Sequence, residues 1–143
     1  MIYTIGHSNH NIDYFIKLLK DNHIDTVADV RSTPYSRWNP QFNQDSLAKT
    51  LADASINYEP LGMYFGGKNI NPSMYREATQ TEKFIAGLNI LNGLLDSYDY
   101  NVVLMCTEYD PMKCHRYLMI GKYLESAGMK VKNILRDGSI MIR

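Results

Sequence analysis

Residues 102–116, VVLMCTEYDPMKCHR, contain the change from a predicted strand to a predicted helix around which the rest of the chain is arranged. The apolar run that ends at Cys106 is typical of a buried strand, and a polar segment follows it. Asp110 and Pro111 form a helix start signal, because Asp accepts hydrogen bonds from free backbone amides and Pro fits the first helical position. The predicted first helical turn contains Cys114, His115 and Arg116. So many reactive side chains just after a strand indicate a functional site.

The same alternation of apolar runs and helical periodicity extends over the whole chain. Predicted strands cover residues 2–6, 26–30, 56–60, 101–106 and 129–135, and a turn at 137–138 leads to a short final strand. Strands that alternate with helices favour a parallel sheet covered on both faces. We therefore predict one α/β domain over residues 1–143. It is a three-layer, Rossmann-like fold with a mainly parallel, doubly wound sheet of about five strands in the order 3-2-1-4-5.

The predicted topology locates the site. In the order 3-2-1-4-5 the first and fourth strands are neighbours, and ligands bind beyond the carboxyl ends of strands where the winding reverses. Residues 7–8, 29–31 and 106–108 then meet at one rim although they are far apart in the sequence. The connections 31–43 and 61–76 are longer than ordinary loops and rich in aromatic residues, which indicates functional loops.

Composition excludes several classes of protein. The 143 residues are 45% hydrophobic and 21% charged, which supports a globular core and argues against disorder. The net charge of zero argues against a non-specific DNA or RNA binder, which usually carries a basic excess. Two cysteines make no disulfide framework, no charged leader is visible, and no apolar run approaches the roughly 18 residues of a membrane helix. We expect a cytoplasmic protein with reduced thiols and no membrane partner.

The residues at the predicted rim suit chemistry on an anion. Cys106 is a candidate nucleophile, and Glu108 and His7 are candidates to move protons. His115 completes a Cys/His/Glu site of the kind that hydrolases and transferases use. The candidate anion ligands are Arg31, Arg37 and Arg116, because guanidinium groups bind phosphate and carboxylate groups bidentately.

Each of these residues also has a purely structural interpretation. Taken alone, Cys106 fits better as a small hydrophobic residue that closes a buried strand. Cys114 lies three residues before Tyr117 and so shares the core-facing side of the predicted helix, although a thiol in a first helical turn is also acidified by the helix dipole. Asp29 is an ion-pair partner for Arg31. The loop aromatics fit packing as well as stacking on a base or sugar.

Metal and cofactor motifs are weak in this sequence. Cys106, Cys114 and His115, joined by His7, would give two sulfurs and two nitrogens for zinc, but the C-x7-C spacing is longer than in zinc motifs. No G-x-G-x-x-G follows the first strand, and the G-G-K at 66–68 lacks the other residues of a phosphate-binding P-loop. We expect no metal and no cofactor.

Three separate motifs resemble one family. G-H-S-N follows the first strand, D-V-R-S-x-P-x-S-R and N-P-x-F-N follow the second, and C-x-E-x-D-P-x-x-C-H-R follows the fourth. In order and spacing they resemble domain-of-unknown-function family 488 over nearly the whole chain. The resemblance implies a compact α/β domain and carries over no reaction. The motif positions it supports as site residues are His7, Ser8, Asp29, Arg31, Arg37, Asn39, Phe42, Cys106, Glu108, Cys114, His115 and Arg116.

We therefore expect an enzyme that acts on a phosphorylated, nucleotide or nucleic-acid substrate at the carboxyl rim of the sheet. Its catalytic residues are predicted to be His7, Cys106, Glu108 and His115. Its predicted substrate contacts are Ser8, Asp29, Arg31, Arg37, Asn39, Phe42, Cys114 and Arg116. Two alternatives stay open: a non-catalytic nucleotide or nucleic-acid binding module, and a thiol-based metal or redox protein.

Overall fold

A computed structural model provides the structure of the protein and describes residues 1–96 and 99–143. Within this part of the chain the strands are β1 Ile2–Gly6, β2 Thr26–Asp29, β3 Asn57–Pro60, β4 Val102–Cys106, β5 Val131–Ile134 and β6 Ile140–Met141. The α-helices are α1 Ile12–Asp21, α2 Gln44–Asp53, α3 Gly62–Phe65, α4 Tyr75–Ala78, α5 Glu82–Leu94 and α6 Lys122–Ser126. Short 3-10 turns cover Pro40–Phe42, Pro72–Met74 and Pro111–Lys113, and Arg116–Gly121 is π-helical.

The sheet order in the described residues is β3-β2-β4-β1-β5-β6, with β1 to β5 parallel and β6 antiparallel to β5. The α/β class and the adjacency of β1 and β4 are confirmed. The order differs from the predicted 3-2-1-4-5, because β4 lies between β1 and β2. Both β1 and β4 are five-residue strands buried at every position. Their sequences therefore do not indicate which of them pairs with β2.

Helices cover both faces of the sheet. On one face α1 and α2 bury Phe15, Leu19, Leu47 and Leu51. On the other face α5, α6 and the π-helical segment bury Phe84, Leu91, Ile120 and Leu124. None of the helices in the described residues is long and apolar enough to cross a membrane. The two apolar layers hold the strands in a fixed register and leave the carboxyl edge of the sheet open.

The segment after β4 differs from the single helix that its sequence predicts. The Asp110 carboxylate accepts a hydrogen bond from the Met112 amide at 2.9 Å, as a helix cap does, but it caps only the 3-10 turn Pro111–Lys113. Cys114 is extended, with φ −131° and ψ 139°, and the π-helical segment begins two residues later. Cys114 is therefore not in a first helical turn, and the helix-dipole argument does not apply to its thiol.

Candidate functional site

Strand register brings the predicted site segments to one rim. Gly6 is the partner of Cys106 in the β1–β4 pair, and Asp29 is the partner of Met105 in the β2–β4 pair. The His7 amide then donates to the Cys106 carbonyl at 2.8 Å, which ties the first loop to the end of β4. The carboxyl ends of β1, β2 and β4 therefore lie side by side, as predicted.

A cleft of about 410 Å³ opens at this rim. It lies among the ends of β2 and β4, the loop after α3 and the segment that precedes the π-helix. Its chemically active lining includes Cys106, Glu108, Cys114, His115, Lys68 and Lys113. Two lysines outnumber the one carboxylate in this group, so the charge of the lining favours an anion.

The Arg116 guanidinium is fully buried against Cys106. Its Nη1 donates to Cys106 Sγ at 3.2 Å and to the Glu108 carbonyl, and its Nη2 donates to the Tyr109 carbonyl at 3.3 Å. Within residues 1–96 and 99–143 it forms no ion pair, and its Nε has no hydrogen-bond partner. Burial lowers the pKa of Arg116 to about 10, against the opposing effect of Glu108 and Asp110. The group thus stays charged at neutral pH with no carboxylate paired to it.

Cys114 and His115 form the second polar pair of the cleft. The His115 Nε2–H donates to the Val30 carbonyl at 2.9 Å, so the neutral ring carries its proton on Nε2. Its Nδ1 is then an acceptor, and it lies 3.7 Å from Cys114 Sγ. Burial lowers the pKa of His115, and the charge of Arg116 adds to this effect. The imidazole is therefore neutral at pH 7 and faces Cys114 Sγ with a lone pair.

The two cysteines are joined as a disulfide, with their Cα atoms 7.6 Å apart. The sequence favoured reduced thiols, and this expectation is corrected. The physical reason is local. Cys114 is extended instead of helical, so its side chain reaches the end of β4 and meets Cys106.

Glu108 lies in the loop that closes one wall of the cleft. One of its carboxylate oxygens accepts a hydrogen bond from the Asp110 amide at 3.0 Å, which holds the side chain in the turn. Its backbone carbonyl packs on Gly6, where any Cβ would collide with it. The glycine at the end of β1 therefore permits the close approach of the loop that carries Glu108.

A second group of predicted site residues forms a buried network at the end of β2, and one of its members, Arg31, also lines the cleft. Arg31 Nε and Nη2 donate to the two oxygens of Asp29 at 2.9 and 2.7 Å, and Nη2 also donates to the Phe42 carbonyl at 2.8 Å. The Tyr58 hydroxyl donates to Asp29 at 2.6 Å. Arg31 Nη1 donates to His7 Nε2 at 3.2 Å. The predicted interpretation of Asp29 as the ion-pair partner of Arg31 matches this geometry.

His7 is fully buried within this network. Its Nδ1–H donates to the Ser8 carbonyl at 2.8 Å, and its ring stacks on Phe42 with centroids 4.4 Å apart. Burial is the largest cause that lowers the pKa of His7, to about 4, and the Arg31 charge adds to it. Both ring nitrogens are engaged within the protein, so His7 holds Arg31 in place and does not face the cleft.

The remaining predicted residues lie away from the thiols. Ser8 and Asn39 line an adjacent cleft of about 430 Å³ that shares Glu108 with the first. Arg37 is exposed, and its guanidinium lies 5.0 Å from the centre of the Trp38 ring. The three predicted anion-binding arginines therefore have three different environments.

Several residues of the site were not singled out from the sequence. Lys68 and Lys113 line the cleft, and Tyr58 completes the coordination of Asp29. The sequence did contain a feature that points to the segment with Lys68, namely the glycine pair that precedes it. Gly67 packs directly on the His115 ring, where an added Cβ would lie 2.8 Å from His115 Cγ. A glycine pair in a long loop indicates such a close approach of the backbone.

The described residues contain no group of three or more His, Cys, Asp or Glu side chains placed to hold a metal ion. In the zinc set considered from the sequence, His7 bonds to Arg31 and Ser8, and the His115 Nε2 bonds to Val30. The side chains of that set therefore have other partners.

The fold and the cleft define a three-layer α/β protein with two cysteines and a buried arginine at the carboxyl edge of its sheet. The model of the family described as Domain of unknown function DUF488 matches residues 11–124, and the chain belongs to this family. The matched range includes the motifs after β2 and β4 and begins after His7 and Ser8. Comparisons with curated proteins and with solved structures found no match.

Proposed function

We propose that the protein is an enzyme that acts on an anionic substrate, such as a phosphorylated compound, a nucleotide or a nucleic-acid end, bound in the 410 Å³ cleft. The observation that carries this proposal is the contact between Arg116 and Cys106. A fully buried cation without a carboxylate partner in the described residues favours the thiolate form of the sulfur that it touches. A thiolate at the wall of a cleft is a nucleophile.

The lysines of the cleft supply the attraction for the substrate. Lys68 and Lys113 are exposed at the mouth and line the same cavity as Cys106. Positive groups that face a concave site attract anions and orient them. Glu108, which also lines the cavity, is the group best placed to give a proton to the leaving group and later to activate water. These roles describe a hydrolase or a transferase with a covalent intermediate on Cys106.

Arg31 and His7 take supporting roles in this proposal. Their hydrogen bonds hold the backbone at the end of β2, where Arg31 itself lines the cleft. Arg31 Nε, Nη1 and Nη2 already donate to Asp29, His7 and the Phe42 carbonyl, so few of its donors remain for a ligand. We therefore assign anion binding to the lysines, stabilisation of the Cys106 thiolate to Arg116, and positioning to Arg31, Asp29 and His7.

A thermal-shift screen of the reduced protein tests the proposal, with nucleotides, sugar phosphates and short oligonucleotides as probes. A ligand at a hundred times its Kd stabilises the folded state by about 2.7 kcal/mol, which the melting temperature reports. We expect the shift to be lost in Lys68→Ala and Lys113→Ala and kept in Lys49→Ala, a matched exposed lysine on α2. A shift that survives both cleft substitutions would place the ligand elsewhere and contradict the proposal.

The alternative of a non-catalytic binding module uses the same cleft and is distinguished by Cys106→Ala. The enzyme proposal requires that this variant binds the ligand from the screen and turns none of it over. Outside the lining of the cleft, the exposed Trp38, whose ring centre lies 5.0 Å from the Arg37 guanidinium, gives the binding module a further surface on which a base can stack. Unchanged turnover in Cys106→Ala would remove the nucleophile from the mechanism.

A further inference from the structure

The cleft is lined by two cysteine sulfurs with different polar partners. Cys106 at the end of β4 receives a hydrogen bond from Arg116, and Cys114 faces the free Nδ1 of His115. Their sulfurs are in covalent contact although the two residues belong to different segments. Both side chains also line the open cleft, to which they present small exposed fractions of 3% and 6%. One thiol has a cation to stabilise its anion, and the other has a base to accept its proton.

We propose that Cys106 and Cys114 form a thiol–disulfide exchange centre, in which Cys106 attacks a small external disulfide and Cys114 resolves the mixed disulfide. The assignment of roles follows from the neighbours. Attack on a disulfide requires a thiolate, which the buried Arg116 charge favours at Cys106. Cys114 has no such cation among its hydrogen-bond partners in the described residues, but it has an imidazole acceptor at 3.7 Å.

The exchange balances in two steps. The Cys106 thiolate attacks one sulfur of R–S–S–R, forms a bond to one R–S group, and releases the other as a thiolate that takes a proton from water. Cys114 then gives its proton to Nδ1 of His115 and attacks Cys106 Sγ, which releases the second R–S⁻ group. That group accepts the proton held by His115. Two electrons pass from the cysteines to the external disulfide, which leaves as two thiols, and the Cys106–Cys114 disulfide remains.

The exchange has a consequence for the activity proposed above, and this step rests on that proposal. In the disulfide form Cys106 Sγ is bonded to Cys114 Sγ and carries no negative charge, so it is not a thiolate nucleophile. The cleft therefore acts on its anionic substrate only in the reduced form. The ratio of thiols to disulfides in the surroundings would then switch the first activity on and off.

The test uses bis(2-hydroxyethyl) disulfide, an uncharged probe that the cleft lysines do not attract. The reduced Cys114→Ser protein is expected to accumulate one stable mixed disulfide on Cys106, located by peptide mass spectrometry. The reduced wild type is expected to lose two thiols, hold no adduct at the end, and contain the Cys106–Cys114 disulfide. In Cys106→Ser the rate of adduct formation is expected to fall at least about tenfold, because its remaining thiol lacks the cation.

His115→Gln provides the readout for the resolving step. Its amide nitrogen can still donate to the Val30 carbonyl, but the side chain cannot take up a proton. The adduct on Cys106 should form at the wild-type rate and persist longer before the intramolecular disulfide appears. Circular dichroism of each variant checks that it is folded.

Two outcomes would overturn the exchange centre. The first is a folded Cys114→Ser protein without an adduct on Cys106, and the second is equal adduct formation in Cys106→Ser. Because the probe is uncharged, the result is independent of the anion screen. If no adduct forms on Cys106, the exchange centre is contradicted, whatever the anion screen finds. If no anion changes the melting temperature, only the proposed function is contradicted.

Discussion

A guanidinium that no water reaches must find its counter-charge inside the protein. Around Arg116 the described residues offer carbonyl oxygens and one sulfur, and the nearest acidic side chains, Glu108 and Asp110, act on it only at a distance. Leaving a buried charge without a partner costs several kcal/mol, whereas a thiolate at Cys106 would neutralise it. Under the proposed function, the position of this arginine is explained by the chemistry of Cys106 better than by stability.

Replacing Arg116 tests this argument at the residue itself. In the reduced Cys114→Ser background, Arg116→Met is expected to lower the rate at which iodoacetamide alkylates Cys106 at pH 7, at least about tenfold. Methionine keeps most of the apolar volume and removes the charge. Arg116→Lys is the matched control and should keep more of the rate, because a cation remains. Equal rates in the three proteins would show that the guanidinium does not favour the thiolate.

The lowered pKa of His7 predicts that the free energy of unfolding depends on pH. Its folded pKa is about 4 and its ordinary value is 6.5, so the unfolded chain binds this proton first as the pH falls. The contribution of His7 is complete above pH 6.5, is lost between 6.5 and 4, and amounts to about 3 kcal/mol at most. Urea unfolding at pH 7 and pH 4.5 should show a smaller drop in the free energy of unfolding for His7→Gln than for the wild type. The difference between the two proteins isolates His7 from His10 and His115, whose pKa values are also lowered.

At the scale of elements, the segment after β4 shows why some of the site could not be predicted. The sequence signal at Asp110 and Pro111 is real, and the predicted cap forms. Local propensity does not report that Cys114 is extended or that residues Arg116–Gly121 are π-helical, because tertiary contacts of Arg116 and Tyr117 decide this. Irregular helical turns of this kind are frequent at functional sites. The break brings the two thiols together.

The loop after α3 supports the same site from the other side. In Gly67→Ala the new Cβ would lie 2.8 Å from His115 Cγ and 3.1 Å from Nδ1, so the ring or the loop must shift. We expect slower resolution of the mixed disulfide and weaker anion binding, measured by the adduct lifetime and by the thermal shift. Gly93→Ala on α5 is the control. No atom lies within 4 Å of its new Cβ, and the helix should gain about 0.5–1 kcal/mol of stability.

At the scale of the whole molecule, hydrophobic periodicity was sufficient for the fold class. The alternation of strands and helices predicted the layers, and the topology rule correctly placed His7, Asp29 and Cys106 at one rim. The order of the central strands was not accessible, because β1 and β4 are equally apolar. The sequence also does not indicate that the rim divides into a cleft with the two cysteines and a buried network around Asp29. The sequence does not distinguish an arginine whose guanidinium binds a ligand from one whose guanidinium donates its hydrogen bonds to Asp29.

That network links several elements of the domain through one carboxylate. Asp29 and Arg31 are 1% and 5% exposed, and their bonds connect β1, β2, β3 and the Pro40–Phe42 turn. Asp29→Asn leaves the buried guanidinium without its counter-charge, so we expect a loss of about 3–5 kcal/mol in the free energy of unfolding in urea. Asp21→Asn is the matched control, because its i,i+4 pair with Lys17 is exposed at 53% and 66% and should leave the unfolding midpoint unchanged. If both substitutions had the same small effect on the free energy of unfolding, the network would not be what holds the strand ends in register. The fixed position of the cleft wall at the end of β2 would then have to come from other contacts.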